Sequence, residues 1–456
     1  MSDYQLIVIG AGPAGYTAAL RAAKLGIKTA VVESREVGGT CLNRGCIPTK
    51  TLLHTAELAR ETKEGETIGL EAGAVRVNLG TLYQRKDAVV AQLRGGIEGL
   101  FQQKKIDLLR GTGTITASGT VAVEGKTYTA DNILIATGSV PSRPPIPGLE
   151  HAVTSDELLS GQVGLPKALV IIGGGVIGME FASFYSAMGV QVTVLEAMDR
   201  ILPNMDREIC QNLTMILKKQ GVAVVTGAMV GGVERQEDGK LVVRYTCKEK
   251  PGEALGDTVL CAIGRRPNTA GLLGEGITLE MERGRIVTDA SGQTSMPGVY
   301  AAGDVTARVQ LAHVASAQGT ACVERLAGRT PLTDLQTIPA CVYTNPEIAA
   351  VGITADEAKA AGRAVKVGKY VTFSNGRSVI AGGQRGFIKV VADSATGVVL
   401  GAQLMCQRAT DLISQFTAAV VNRLTVEQLL HTMRPHPTFD EGIGDALEDL
   451  LEKLGH

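Results

Sequence analysis

The chain has 456 residues, room for roughly three domains at about 150 residues each, and its 45 Lys+Arg against 46 Asp+Glu leave a formal net charge of -1. That balance carries no electrostatic footprint for nucleic acid or for an anionic membrane surface. Hydrophobic residues make up 45% without a run of 18, so sizeable cores are expected and a spanning helix is not. Met1-Ser2-Asp3-Tyr4 leads straight into an apolar strand, with no basic leader and no Arg/Ser-rich transit segment, so the chain reads as mature, soluble and cytoplasmic. Eight cysteines are too sparse for a secreted disulfide scaffold, and any disulfide is expected to be chemical rather than structural. The 56 glycines, well above average usage and without a collagen period, point to tight turns and close backbone approaches.

In chain order, residues 4–10 (YQLIVIG) form a buried-strand pattern, followed by Gly10, Gly12 and Gly15, a helical run from Pro13 to Leu25 and a strand Thr29–Glu33. The same pattern returns 163 residues later. There KALVIIG leads to Gly173, Gly175 and Gly178, a helix to about Met188 and a strand Val190–Glu196. In both copies a carboxylate stands 23 positions after the first glycine. One such glycine pattern is weak evidence; two, each with strand, glycines, helix, strand and carboxylate in order, are not. The first glycine permits the strand-to-helix turn, the second admits a pyrophosphate and the third allows close packing. The helix N-terminus stabilises phosphate charge, and Glu33 or Glu196 would accept from ribose hydroxyls. Two bound dinucleotides are expected.

A Pro-rich crossing at residues 140–147 and a return at Gly264–Pro267 separate these units. Beyond about Pro331 the glycine pattern stops. Strand-like runs at 386–391 and 397–404 and an amphipathic helix at 411–424 then suggest an α+β domain.

Between the copies lies Cys41-Leu42-Asn43-Arg44-Gly45-Cys46-Ile47-Pro48-Thr49-Lys50. Two buried thiols, a metal site and a redox disulfide all fit two cysteines five apart. No nearby Cys or His completes a metal set. In a regular helix their Cα atoms would be about 8.6 Å apart, beyond the roughly 7 Å a disulfide tolerates. A disulfide therefore needs a local distortion, for which Gly45 and Pro48 are suited, and the residues alone leave the alternatives open.

Gly38-Gly39-Thr40-Cys41 with Cys46, after such a nucleotide unit, resembles the flavin-dependent pyridine nucleotide–disulfide oxidoreductases over essentially the whole chain. CLNRGCIPTK looks most like the dihydrolipoamide dehydrogenase branch of that family. The resemblance implies an α/β protein with two Rossmann-like domains, for FAD and NAD, and a C-terminal α+β dimerisation domain. Expected segments are 1–146 and 268–332 for FAD, 147–267 for NAD and 333–456 for the interface. It implies Cys46 as the thiol against the flavin and Cys41 as the thiol that exchanges with substrate sulfurs. Gly10, Gly12, Gly15 and Glu33 would hold the adenosine half of FAD, with Ala136-Thr137-Gly138 closing that part. Asp304 in Tyr300-Ala301-Ala302-Gly303-Asp304 would meet the ribityl chain, and Leu311-Ala312-His313 the flavin ring. Lys50 is similar to a family lysine near the flavin that pairs with a glutamate, here Glu180. Gly173, Gly175, Gly178, Glu196 and Gly264 would serve NAD. A carboxylate at 196 repels a 2′-phosphate, and Arg200 stands four residues beyond it.

A thiol attacks disulfides as thiolate, so a base is required. His436-Pro437-Thr438-Phe439-Asp440-Glu441 resembles the family's His-Pro-Thr-x-x-Glu signature, implying His436 as base, Glu441 as its orienting partner and a homodimer as the catalytic unit. Arg44 and Arg434 depart from the family pattern, which often has a small apolar residue and a histidine there. The expected reaction is oxidation of dihydrolipoyl groups with reduction of NAD+, the lipoyl group carried by a protein of a 2-oxo acid dehydrogenase or glycine cleavage system. The alternative is an NAD(P)H-dependent reductase of a small disulfide, similar to glutathione reductase. No metal, nucleic acid or membrane partner is expected.

Overall fold

The structure is a computed structural model that describes residues 2–383 and 385–455. Met1 lies outside the described residues. The chain forms two compact units: Met1–Ile172 with Gly231–Arg244 and Ala254–Leu335, and Gly173–Val230 with Tyr245–Glu253 and Gln336–His456.

The first unit is built on a seven-stranded mixed sheet with a parallel centre. Its central strand, Tyr4–Ile9, pairs with Thr29–Glu33 on one side and Lys126–Ile135 on the other. Asp107–Arg110 and Val299–Ala301 extend it outward, both parallel. Leu6, Ile7 and Val8 are wholly buried because both faces are covered, which is why the strand reads as an unbroken apolar run. Strand order reverses at Tyr4–Ile9, and a ligand crevice opens at the carboxyl ends of strands at such a point. Helices Pro13–Lys24 and Ala312–Leu326 contribute Ala14, Ala18, Ala22, Cys322 and Val323 to the core on one face. An added Cβ on Gly319 would meet the Ala14 carbonyl at 2.3 Å, so those two helices approach as closely as backbones allow. The Pro-rich crossing and the GRRP return pair with each other, Ser139–Pro141 lying antiparallel to Arg265–Pro267.

In the second unit, helix Val176–Ala187 is followed by strand Gln191–Glu196, parallel to Ala223–Thr226. Helix Arg207–Lys219 is capped by Asp206, whose carboxylate accepts from the Glu208 amide at 2.9 Å. The remainder is a five-stranded antiparallel sheet in the order Ala340–Val342, Ile348–Gly352, Val399–Met405, Phe387–Asp393, Val365–Val371. Helices Ala409–Val421 and Glu441–Leu454 bury Ile413, Phe416, Ile443, Ala446, Leu447 and Leu450 against it. The helix expected to reach 424 stops at Val421. Arg423 turns left-handed at φ 54° and Leu424 donates to the Ala419 carbonyl at 2.9 Å, closing the end. The strand expected from 397 begins at Val399 because Gly397, at φ 65°, belongs to a turn held by Asp393. No helix among the described residues is long and apolar enough to cross a membrane.

Candidate active site

The two glycine turns superimpose in their chemistry. Gly10 and Gly173 both adopt left-handed φ, 105° and 111°, and their amides donate to Val32 and Leu195 carbonyls at 2.8 Å. Helices Pro13–Lys24 and Val176–Ala187 start after Gly12 and Gly175, which sit at φ −72° and −75°. Gly10 is required twice over, because a Cβ there would also lie 2.4 Å from the Ala136 carbonyl. Gly15 is a packing glycine, its Cβ position being 1.8 Å from the Gly10 carbonyl oxygen. Gly178 is likewise buried in its helix. Space opens at the middle positions: the nearest atom to a Cβ on Gly12 is Gly39 Cα at 3.8 Å, and none lies within 4 Å at Gly175.

Both carboxylates are held by their own turns. Glu33 accepts from the Ala11 and Arg35 amides, each at 2.7 Å. Glu196 accepts from the Gly174 amide at 2.5 Å and the Met198 amide at 2.7 Å. They are 9% and 8% exposed. Each oxygen keeps a further lone pair, so a ribose diol can still be bound. With a bare glycine and a helix N-terminus beside it, each set fits a dinucleotide. Arg200, four residues beyond Glu196, donates to the Pro203 carbonyl at 3.1 Å.

Cys41 and Cys46 lie on separate helices, Gly39–Arg44 and Cys46–Glu64, broken at Gly45 with φ −145° and ψ −111°. Gly45 alone carries the distortion; Pro48 sits in the first turn of the second helix, where its missing N–H costs nothing. A Cβ at Gly45 would approach the Thr40 carbonyl to 2.9 Å and Cys41 Cα to 3.3 Å, so the break folds the two thiol segments together. Both cysteines are in the reduced form, and Cys41 is hydrogen-bonded to Cys46. That bond, then burial and the charge of Cys46, hold the Cys41 thiol well above its ordinary value, with Lys50 opposing. Cys46 opens a 19-residue helix, whose positive end favours charge on its sulfur. Proton on Cys41 and charge on Cys46 is thus the arrangement the geometry favours in the reduced pair. Arg44 pairs with Glu36 and is partly buried, so it neither points freely to solvent nor ranks among the groups acting on Cys41.

Several residues around the thiols carry no sequence motif. Tyr16, on helix Pro13–Lys24, has its hydroxyl pushed up by burial and by the charges of Cys41 and Cys46. Arg265 donates from Nε to Ser139 Oγ and from a terminal nitrogen to the Ser139 carbonyl, both at 2.8 Å. Ser139 Oγ in turn donates to Asp304 at 2.6 Å. Burial pulls the Arg265 guanidinium down, while Asp156, Asp304 and Cys46 hold charge on it. Burial pushes Asp156 up against the pull of Arg265, Arg44 and Arg35. GRRP was legible only as a chain return, and nothing in sequence ties Asp156 to position 265.

Asp304 lies on the single turn Gly303–Thr306, after Gly303 at φ 79° whose amide donates to Gln318 at 2.8 Å. Thr137 Oγ1 donates to the Asn268 carbonyl at 2.7 Å, and Gly138 and Gly264 turn at φ 70° and 131°. Leu311 precedes helix Ala312–Leu326, which Ala312 and exposed His313 open. Glu180, 4% exposed on helix Val176–Ala187, accepts from the Tyr343 amide at 3.2 Å. His436 Nδ1 lies 2.7 Å from Glu441 Oε1 with its ring largely exposed, and Glu441 Oε2 accepts from the Thr438 amide at 2.8 Å. The His436 contact, then that amide, hold the Glu441 carboxyl below its ordinary value. An exposed imidazole anchored through one nitrogen leaves the other for a substrate proton.

The chain is similar to known proteins over almost its whole length. The family profile described as pyridine nucleotide-disulphide oxidoreductase matches residues 4–319, and its dimerisation-domain profile matches 338–447. A dihydrolipoyl dehydrogenase of Thermus scotoductus is 43% identical, covering 100% of this chain and 99% of its own. One of Bacillus subtilis is 41% identical over 98% and 97%. Among solved structures, LpdA of Mycobacterium tuberculosis aligns with a TM-score of 0.89 at 30% identity, covering 97% and 99%. The HOCl-induced flavoprotein disulfide reductase RclA of Escherichia coli, as its Cu(II) complex, aligns at 0.87 and 30% identity over 98% and 99%. With two matched nucleotide turns, a thiol pair hinged at one glycine and family profiles spanning both, the chain belongs to the pyridine nucleotide-disulphide oxidoreductases.

Proposed function

We propose that the protein oxidises protein-bound dihydrolipoyl groups to lipoyl and reduces NAD+ to NADH, using FAD and the Cys41–Cys46 pair. The observation that carries it is the thiol pair itself, hydrogen-bonded across the Gly45 break with Cys46 at a helix N-terminus. Gly10, Gly12, Gly15, Glu33, Ala136, Thr137, Gly138, Gly303, Asp304, Leu311, Ala312 and His313 would hold FAD, with Lys50 and Glu180 near its ring. Gly173, Gly175, Gly178, Glu196 and Gly264 would hold NAD. Segments 1–146 and 268–332, 147–267 and 333–456 are the corresponding FAD, NAD and interface domains.

Starting from the Cys41–Cys46 disulfide, His436 takes the proton of one substrate thiol. The resulting thiolate attacks Cys41 Sγ, and Cys46 leaves as thiolate at the helix N-terminus, where the positive end stabilises it. The second substrate thiol displaces Cys41, forming the lipoyl disulfide and leaving Cys41 protonated. Glu441 holds the imidazole through Nδ1 so that its other nitrogen faces the proton. Bound FAD supplies the two-electron relay from the reduced pair to NAD+. The buried carboxylate of Glu196, which repels a 2′-phosphate, supports NAD+ over NADP+. The working unit is a homodimer in the cytoplasm, served by a lipoyl-bearing protein.

Anaerobic assay of FAD-loaded protein with dihydrolipoamide tests the reading. NADH should form rapidly, NADPH far more slowly, and both should vanish in His436→Gln. A reducible pair with no lipoamide turnover would reject the substrate and move the search to other disulfides.

A further inference from the structure

Arg434 precedes His436 by two residues, and its side chain is only 9% exposed. Its Nε lies 3.6 Å from Asp440 Oδ2 without a hydrogen bond, so the contact is one of charge. A terminal nitrogen donates to the Thr432 carbonyl at 3.1 Å. The Arg434 side chain lies along Gly444 of helix Glu441–Leu454, where a Cβ would stand in ordinary contact, 3.5 Å from Arg434 Cδ. The other Asp440 oxygen accepts from Gln415 on helix Ala409–Val421. Residues 434–441 are therefore closed by two nested pairs, Arg434 with Asp440 and His436 with Glu441.

The remaining charged and titratable groups facing this loop are few. Arg377 lies over the Phe439 ring at 5.7 Å from helix Gly376–Ile380. Asp445, in the terminal helix, is engaged with the Tyr370 hydroxyl from strand Val365–Val371, which also feels Glu441. Asn375 contributes a neutral bond to the Thr438 carbonyl at 3.0 Å.

Resting on the reading of His436 as the base, we propose that Arg434 is a positioning residue that neutralises Asp440, the neighbour of Glu441 in the chain, so that the loop presents Glu441 alone as the carboxylate orienting the imidazole. A histidine at 434, as is common in the family, would be neutral over much of the working pH range and leave Asp440 uncompensated. The opposing charges give the test a sign. Removing Arg434 adds net negative charge near the imidazole and favours its protonated form; removing the Asp440 charge does the reverse.

The experiment is the pH dependence of kcat/KM for dihydrolipoamide with the holoenzyme at constant ionic strength. In Arg434→Met the acid limb should move up by about half a pH unit, the size of one unit charge acting across a partly solvated loop. In Asp440→Asn it should move down by a similar amount. The double variant should return near the parent, and Arg434→Lys should keep the parent limb. Both shifts should shrink at high ionic strength. Limbs that stay fixed while kcat falls, or that move in the same direction, would make Arg434 merely structural and overturn the proposal. Persistence of the acid limb in His436→Gln would instead overturn the base assignment beneath it. If Arg434→Met does not accumulate as folded holoenzyme, the direction of the Asp440→Asn shift decides.

Discussion

Replacing Gly175 by alanine separates the two tasks of a nucleotide-binding turn. Its φ of −75° and ψ of −174° are open to any residue, and no atom lies within 4 Å of the added Cβ. At a helix N-cap, Gly to Ala costs roughly 0.5–1 kcal/mol. The stiffer unfolded chain returns about 0.4–1 kcal/mol. Net stability should change by less than about 0.5 kcal/mol, or at most about 2 °C in Tm for a protein of this size. If the proposed NAD site is right, the methyl projects where the pyrophosphate approaches the backbone, and NAD+ affinity should fall about 100-fold, some 2.7 kcal/mol. FAD content should be untouched, because Gly12 and Glu33 lie in the other copy. Gly15→Ala provides the contrast: its Cβ would sit 1.8 Å from a carbonyl oxygen, and folded protein should be lost. Calorimetry, flavin absorbance and an NADH titration of Gly175→Ala read the three quantities. Unchanged NAD+ affinity with intact fold would refute the reasoning that the open glycine face is the phosphate approach.

Two further substitutions follow from the ion network and the thiols. Lys389, 11% exposed, meets Asp206 at 2.9 Å and Glu208 at 3.0 Å. Lys389→Met should cost about 3 kcal/mol by stranding buried Asp206, and Asp206→Asn in the same chain should recover much of it because asparagine still caps the helix. Burial pulls the Glu208 carboxyl up, but hydrogen bonds from Lys369 and Lys389 outweigh it and leave it below its ordinary value. Its contribution is present above that ordinary value and lost as pH falls, so the thermal-unfolding gap between parent and Lys389→Met should narrow below about pH 4. For the thiols, Cys41→Ser and Cys46→Ser should both abolish lipoamide turnover. Only Cys41→Ser should retain long-wavelength thiolate–flavin absorbance, and its retention in Cys46→Ser would reverse the assignment.

The nucleotide turns were legible because each demand falls on a residue type with few substitutes: a left-handed φ at Gly10 and Gly173, and a carboxylate where a strand ends. What lay hidden is that Glu33 and Glu196 are gripped by backbone amides, since an amide donor leaves no mark on residue identity. The break between the cysteines was legible as a need, and its owner was not. Gly45 and Pro48 both suit a distortion, and only the backbone shows Pro48 in a regular first turn. Arg44 and Arg434 were visible as departures, but their partners Glu36 and Asp440 stand among many carboxylates of equal claim. Arg265, Ser139 and Asp304 are far apart in the chain and have no spacing to betray them; strand pairing sets Ser139 opposite Pro267, and the Arg265 side chain then reaches along the ladder to Ser139.

The internal repeat also explains why the thiols occur only once. After the carboxylate each copy returns to the amide pair of its own turn: Gly38 donates to the Ala11 carbonyl and Leu202 to the Gly174 carbonyl, both at 2.8 Å. In the first copy the return is made by Gly38 and Gly39 at φ 97° and 59°, with a Cβ on Gly39 only 2.5 Å from Gly12 Cα. That bare approach lets helix Gly39–Arg44, carrying Cys41, begin against the nucleotide turn itself. In the second copy Leu202 makes the return at φ 46°, and the chain runs on to Asp206, whose carboxylate caps a helix and binds Lys389. The same return thus leads to the thiol-bearing helix where two glycines allow the backbone to press in, and to a charged anchor where a buried leucine makes the return. The requirement for glycine at position 39 is consequently as strict as at position 10, although the pattern of Gly10, Gly12 and Gly15 does not include it.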